Sequence, residues 1–153
     1  INAFKNMSIE QRNGWTLELV GSGPEINSFQ QIDGINVHDW MSPDKLSSFL
    51  SEGGVGCLPS SFEPWGVVLH EFVCMGLPCI VSNRVGAATE FIIHNYNGYI
   101  LTDTSVECIQ SYLLNCICDE TFLRKMGERS FEMSRKITTE KSVATLLSFK
   151  SDE

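Results

Sequence analysis

The chain has 153 residues, 42% hydrophobic and 20% charged, with a formal net charge of −8. This is one domain's worth of material, with ample core for a soluble globular protein and too little chain for a two-domain enzyme, and the hydrophobic share excludes disorder. The acidic balance excludes a general nucleic-acid binder and lends nothing to docking on an anionic membrane; no apolar run is long enough to span one, and Ile1 to Asn6 is not a signal peptide.

Ile1 to Met7 reads as the end of an amphipathic helix, with Ile1 and Phe4 on one face. Asn13-Gly14 then turns the chain into a strand over Trp15 to Val20. Gly21-Ser22-Gly23-Pro24 ends that strand; a dinucleotide-binding turn needs a third glycine, and Pro24 stands in the way. Ile35 to Trp40 is a further short strand. Ser42 as N-cap, Pro43 at the first position and Asp44 as an early acid start a helix that runs to about Ser51.

The most informative stretch follows. Gly54 to Leu58 is a short apolar run suited to a buried parallel strand, and Pro59-Ser60-Ser61 makes a polar loop. A helix is expected to start near Pro64, with Glu63 at its positive end, and to stop at Gly76 and Pro78 before a strand over Cys79 to Ser82. Glu63 and Glu71 stand eight positions apart, about 12 Å along a full helix. Between them the N–H groups of Trp65, Gly66, Val67 and Val68 include several with no intrahelical acceptor, and such an end binds phosphate. A ligand with a sugar at one end, a diphosphate in the middle and a ribose at the other has this order of groups and about this length.

Arg84 to Glu90 is a loop and helix start, with the helix continuing through His94; Asn95 to Gly98 ends it, and Tyr99 to Leu101 is the last strand. Arg84 follows a strand on the side where α/β sheets bind ligands; it faces phosphate or acceptor, or is simply solvated. Helical stripes follow at Val106, Ile109, Leu113 and Ile117, then at Leu123, Met126 and Phe131, and a final helix opens at Thr138 and runs through Phe149. Six cysteines form no pair of CxxC motifs; Cys57, Cys74 and Cys79 fall at apolar positions and Cys116-Ile117-Cys118 has no histidine at ligand spacing, so buried free thiols in a reducing cytoplasm are expected.

The block from Glu63 to Glu71 resembles the Glu-x7-Glu signature of retaining glycosyltransferases of the GT-B fold, in the family called GT4. The similarity continues through Met75 to Ser82, the turn from Gly86 to Glu90 and Asn97 to Leu101, and upstream at Leu19 to Glu25, where the resemblance implies a structural turn leading to a short helix at about Glu25 to Gln31. What the resemblance implies is the C-terminal, donor-binding half of such an enzyme: a Rossmann-like, doubly wound parallel sheet spanning 1–153 as a single domain, with C-terminal helices at about 105–150. It further implies that Glu63 orients the donor sugar, that Glu71 accepts from the ribose hydroxyls, that the amides of Trp65, Gly66, Val67 and Val68 meet the diphosphate, and that Met41 and the residues around Lys45 lie near the base. Trp65 would line the donor pocket. The co-substrate is a nucleotide diphosphate sugar with a uridine, guanosine or adenosine base left open, and the acceptor is a glycan or lipid-linked molecule. No metal is expected, and the sequence has no Asp-x-Asp motif to hold one.

Plainer readings compete with these. Glu63 can be a helix-terminal charge and Glu71 a surface residue; His70, on a largely apolar helix, is expected to be packed rather than catalytic, and His38 and His94 have no evident Ser, Cys or carboxylate partner. In a sheet ordered 3-2-1-4-5-6 the five expected strands, near residues 16, 36, 56, 80 and 100, leave out the central first strand. The chain is therefore expected to be part of a longer two-domain enzyme, with that strand, the acceptor domain and any membrane association supplied by absent regions. Direct pairing of Trp15–Val20 with Val55–Leu58 would refute this. A non-catalytic nucleotide-sugar- or protein-binding module is the alternative, and a GT-B epimerase or phosphorylase fits the Glu-x7-Glu block poorly.

Overall fold

The computed structural model describes residues 1–138, 140, 141, 143 and 144. Its elements are α1 (Asn2–Lys5), α2 (Ile9–Arg12), β1 (Leu17–Val20), a 3₁₀ turn (Ile26–Phe29), β2 (Ile35–His38), α3 (Pro43–Leu50), β3 (Gly56–Leu58), α4 (Val67–Cys74), β4 (Cys79–Ser82), α5 (Ala88–Phe91), β5 (Gly98–Leu101), α6 (Val106–Cys118) and α7 (Glu120–Ser134). All strand pairs are parallel. β1 pairs with β2 in the register Leu17↔Ile35, and β3-β4-β5 form a second sheet with Cys57↔Ile80 and Ile80↔Tyr99.

These are the neighbours that the order 3-2-1-4-5-6 assigns to its second and third and its fourth to sixth strands. Among the described residues β1 and β3 do not pair, so each has one edge without a strand partner. Helix α6 ties the halves together: its Leu113 packs both on the core of Ile80, Tyr99, Leu101 and Met126 and on that of Phe4, Met7 and Ile35. On the opposite face, Leu69 and Val73 of α4 pack with Val81, Val85 and Phe91, all buried. Apolar burial on both faces explains why Cys79 to Ser82 is buried throughout and reads as a continuous run.

Several elements differ from expectation. The helix after β3 starts at Val67, not near Pro64. Before it, Glu63 N–H donates to the Arg84 carbonyl, Gly86 N–H to the Glu63 carbonyl and Ala87 N–H to the Trp65 carbonyl, so these residues are held in a loop pairing; Gly66, at φ +94°, then breaks the backbone run. The helix expected at Glu25 to Gln31 is a single 3₁₀ turn, and that expected through His94 ends at Phe91. Ser8 and Gln11 form a capping box for α2, an unforeseen turn whose Ser-x-x-Gln spacing is visible in the sequence. The buried face of α1 is Ala3 and Phe4, whereas Ile1 is 40% exposed. Phe131 is 54% exposed, the inward positions of α7 being Leu123, Met126, Gly127, Ser130, Met133 and Ser134. Ser42 is the N-cap of α3 by backbone position, but its side chain makes no cap bond. The helix expected from Thr138 through Phe149 falls largely outside the described residues.

Candidate functional site

The site lies at the C-terminal ends of β3 and β4. Polar residues rarely occupy fully buried strand positions without partners; Ser82, buried at the end of β4, donates its hydroxyl to the Ser60 carbonyl at 2.6 Å and accepts from Arg84 N–H at 3.2 Å. It thereby fastens the loop after β3 to the loop after β4. The sequence signal for it was a serine closing an apolar run.

That fastening places Glu63. Its backbone bridges Val85, and its half-buried side chain accepts from Trp65 N–H at 3.3 Å. Trp65 N–H is therefore already engaged, which removes it from the expected set of open amides. Gly66, Val67 and Val68 have no acceptor for their N–H groups among the described residues, and Leu69 N–H returns to the Gly66 carbonyl at 2.9 Å. The cradle is thus three successive amides at the start of an eight-residue helix, where the helix dipole favours negative charge.

Close packing fixes this geometry. A Cβ at Gly66 would lie 2.8 Å from Val85 Cγ1 and 3.3 Å from Glu63 Cγ, and one at Gly86 would lie 2.1 Å from the Pro64 carbonyl oxygen. Glu71, half-buried in the second turn of α4, lines a groove of about 160 Å³ between α3 and α4 together with Val67, His70 and Pro43. Met41 and Lys45 line a neighbouring hollow of about 740 Å³, with Trp40 and His38, on the other side of the first turn of α3.

The expected residues are therefore brought together in part. Glu63 and Gly66 lie side by side, close enough that a Cβ on Gly66 would meet Glu63 Cγ, and Val67 and Glu71 share one groove; Met41 stands apart in the second hollow. Trp65 lines neither: it is 41% exposed and meets Phe91 edge-on at 6.4 Å. Arg84 is exposed on the loop that pairs with Glu63. His70 is packed as expected, stacked on Phe91 at 4.7 Å. His38 does have a carboxylate partner, contrary to expectation: its Nε2 lies 2.6 Å from Glu18 Oε2, and Glu18 Oε1 accepts from Thr16 and Asn36. Parallel pairing of β1 with β2 puts Glu18 diagonally beside His38, a neighbourhood invisible without the register. Burial alone would raise the Glu18 carboxyl, but the hydrogen bonds from Thr16, His38 and Asn36 outweigh it and hold the group below its ordinary value.

Among the described residues no group of three or more His, Cys, Asp or Glu is placed to hold a metal ion, and no helix is long and apolar enough to cross a membrane. All six cysteines are free; Cys79 and Cys116 are buried as expected, while Cys74 and Cys118 are exposed.

The paired parallel α/β architecture has the fold of the C-terminal domain of GT-B glycosyltransferases. The chain belongs to the family described as glycosyl transferases group 1, whose profile matches residues 1–133. It is 31% identical over 121 residues to N-acetyl-alpha-D-glucosaminyl L-malate synthase of Bacillus anthracis, covering 76% of this chain and 32% of that protein. It is 27% identical over 146 residues to an exopolysaccharide phosphotransferase of Streptomyces coelicolor, covering 92% of this chain and 15% of that one. The chain thus spans about a third or less of these two curated relatives. Among solved structures, the pneumococcal O-GlcNAc transferase GtfA, in complex with UDP and GlcNAc, superposes with a TM-score of 0.80 at 20% identity, over 97% of this chain and 31% of that one. WaaG, a glycosyltransferase of lipopolysaccharide biosynthesis, superposes with a TM-score of 0.78 at 15% identity, over 99% of this chain and 42% of that one.

Proposed function

We propose that this chain is the donor-binding half of a retaining, GT4-type glycosyltransferase that moves a sugar from a nucleotide diphosphate sugar to a glycan or lipid-linked acceptor in polysaccharide biosynthesis on the cytoplasmic side. The observation that carries the reading is the run of three open amides at Gly66, Val67 and Val68 between Glu63 and Glu71. Solved relatives of the same fold hold UDP with GlcNAc, or UDP-glucose, which supports a nucleotide-sugar ligand.

In this reading the amides hold the diphosphate, Glu63 orients hydroxyls of the sugar and Glu71 accepts from the ribose. The hollow around Met41 receives the base, largely through main-chain contacts. The bond from the anomeric carbon to the diphosphate oxygen breaks, a bond to the acceptor oxygen forms on the same face, and the acceptor's proton leaves with the diphosphate. The preorganised N–H groups stabilise the charge that develops on the departing phosphate, a role that requires no metal. The domain spans residues 1–153, and a preceding strand between β1 and β3 and an N-terminal acceptor domain complete the enzyme; the open edges of β1 and β3 support that strand.

The test is calorimetric titration of the full-length protein with UDP-, GDP- and ADP-sugars. Saturable binding of one class, lost in Glu71→Ala, is the expected outcome. Absence of saturable binding to any donor would mark the chain as a scaffold module instead.

A further inference from the structure

His70 carries a buried nitrogen that the proposed chemistry does not use. Its imidazole stacks on the buried Phe91 with ring centroids 4.7 Å apart and planes 12° from parallel. Nε2 is buried and has no hydrogen-bond partner among the described residues. Nδ1 is also without a partner but is not buried in this way, so it is the nitrogen left open, on a residue that lines the groove shared with Glu71 and Pro43.

This asymmetry fixes the tautomer. A neutral imidazole has one N–H to place. On Nε2 it would be an orphaned buried donor, the rarer and costlier kind of unsatisfied group; on Nδ1 it leaves only a bare lone pair buried. The ring thus presents a donor at its open nitrogen, held by the stack on Phe91 in the first turn of α4, immediately before Glu71.

We infer that His70 is a positioning residue for the donor, giving its Nδ1–H to an oxygen of the ribose–phosphate portion of the nucleotide while Glu71 accepts from the ribose hydroxyls. This rests on the donor-site reading above and adds to it a hydrogen-bond donor that selects for ligand oxygen. One residue accepts and its neighbour donates, so the groove matches a group with hydroxyl and ether or phosphoryl oxygens side by side.

The experiment titrates the full-length protein with UDP, GDP and ADP, using whichever binds the wild type most tightly. It compares His70→Phe, which keeps the stack on Phe91 and loses the donor, with His70→Asn, whose amide nitrogen can stand where Nδ1 does. Both variants are checked for folding by thermal melting. His70→Phe is expected to weaken nucleotide binding about tenfold, and His70→Asn to stay within about threefold of wild type, as a restored donor predicts. Long-range ¹H–¹⁵N NMR of the His70 ring, a readout that a purely structural role would not move, is expected to show the Nδ1–H tautomer and a displaced Nδ1 proton resonance on binding. An Nε2–H tautomer, equal losses in the Phe and Asn variants, or unchanged binding in His70→Phe while Glu71→Ala abolishes it each overturns the inference and leaves the donor site standing. Nucleotide binding that survives Glu71→Ala brings down the donor-site reading itself, and this inference with it.

Discussion

A methyl group added at Gly86 would meet the Pro64 carbonyl oxygen at 2.1 Å, and one at Gly66 would meet Val85 at 2.8 Å in a backbone held at φ +94°. Neither contact can relax without separating the loop that bears Glu63 from the loop that follows β4. Gly66→Ala is therefore expected to lose about 1–3 kcal/mol of stability from backbone strain, read as a lowered urea midpoint, and to lose donor binding together with it. The Glu18 cluster sets a different expectation. Because hydrogen bonds hold its folded carboxyl below the ordinary value of 4.5, its contribution is present above that pH and disappears as pH falls through the lower, folded value. Wild type should therefore exceed Glu18→Gln in urea midpoint near pH ~6, with the gap closing as pH falls below 4.5; a gap independent of pH would contradict the assignment.

The C-terminal helices hold the site from behind. Asn97 is buried between α5, β5 and α7: its Oδ1 accepts from Ile93 N–H at 2.8 Å, and its Nδ2 donates to the Phe91 carbonyl at 2.8 Å and to Ser130 Oγ at 3.4 Å. Asn97→Ala strands at least two of those groups and should cost about 3 kcal/mol, measured by equilibrium unfolding, with Phe91 and the His70 ring above it losing their support. This is also the scale at which the sequence was most and least legible. Period and punctuation located α3, α6, α7 and the strands, because Pro43, Gly76 and Pro78 act on the local backbone. The start of α4 was misplaced because Glu63 and Pro64 look like a helix opening, yet the carbonyls on either side of Pro64, those of Glu63 and Trp65, are taken by Gly86 and Ala87 from a loop some twenty residues away. The partner of His38, the outward turn of Phe131 and the tie between Ser82 and Ser60 are likewise products of register and tertiary contact, which no local pattern encodes.

At the scale of the whole molecule, two parallel sheets share α6 without joining among the described residues, and the thiols sort by layer. Burial raises both Cys79 and Cys116, the latter to about 12, whereas Cys74 and Cys118 are exposed. Iodoacetamide at mildly alkaline pH should label Cys74 and Cys118 first and reach Cys79 and Cys116 only on unfolding, as peptide mapping can follow. Under the proposed function, with a further strand between the open edges of β1 and β3, the purified 153-residue chain is expected to transfer no sugar and to bind donor at best weakly; turnover by the isolated chain would contradict the proposed division of labour.

The most direct test of the central claim is a crystal structure of the full-length protein with the nucleoside diphosphate that it binds most tightly. The account predicts diphosphate oxygens within hydrogen-bonding distance of the Gly66, Val67 and Val68 amides and the ribose hydroxyls on the Glu71 carboxylate. A nucleotide bound elsewhere, with those amides facing solvent or packed side chains, would contradict it.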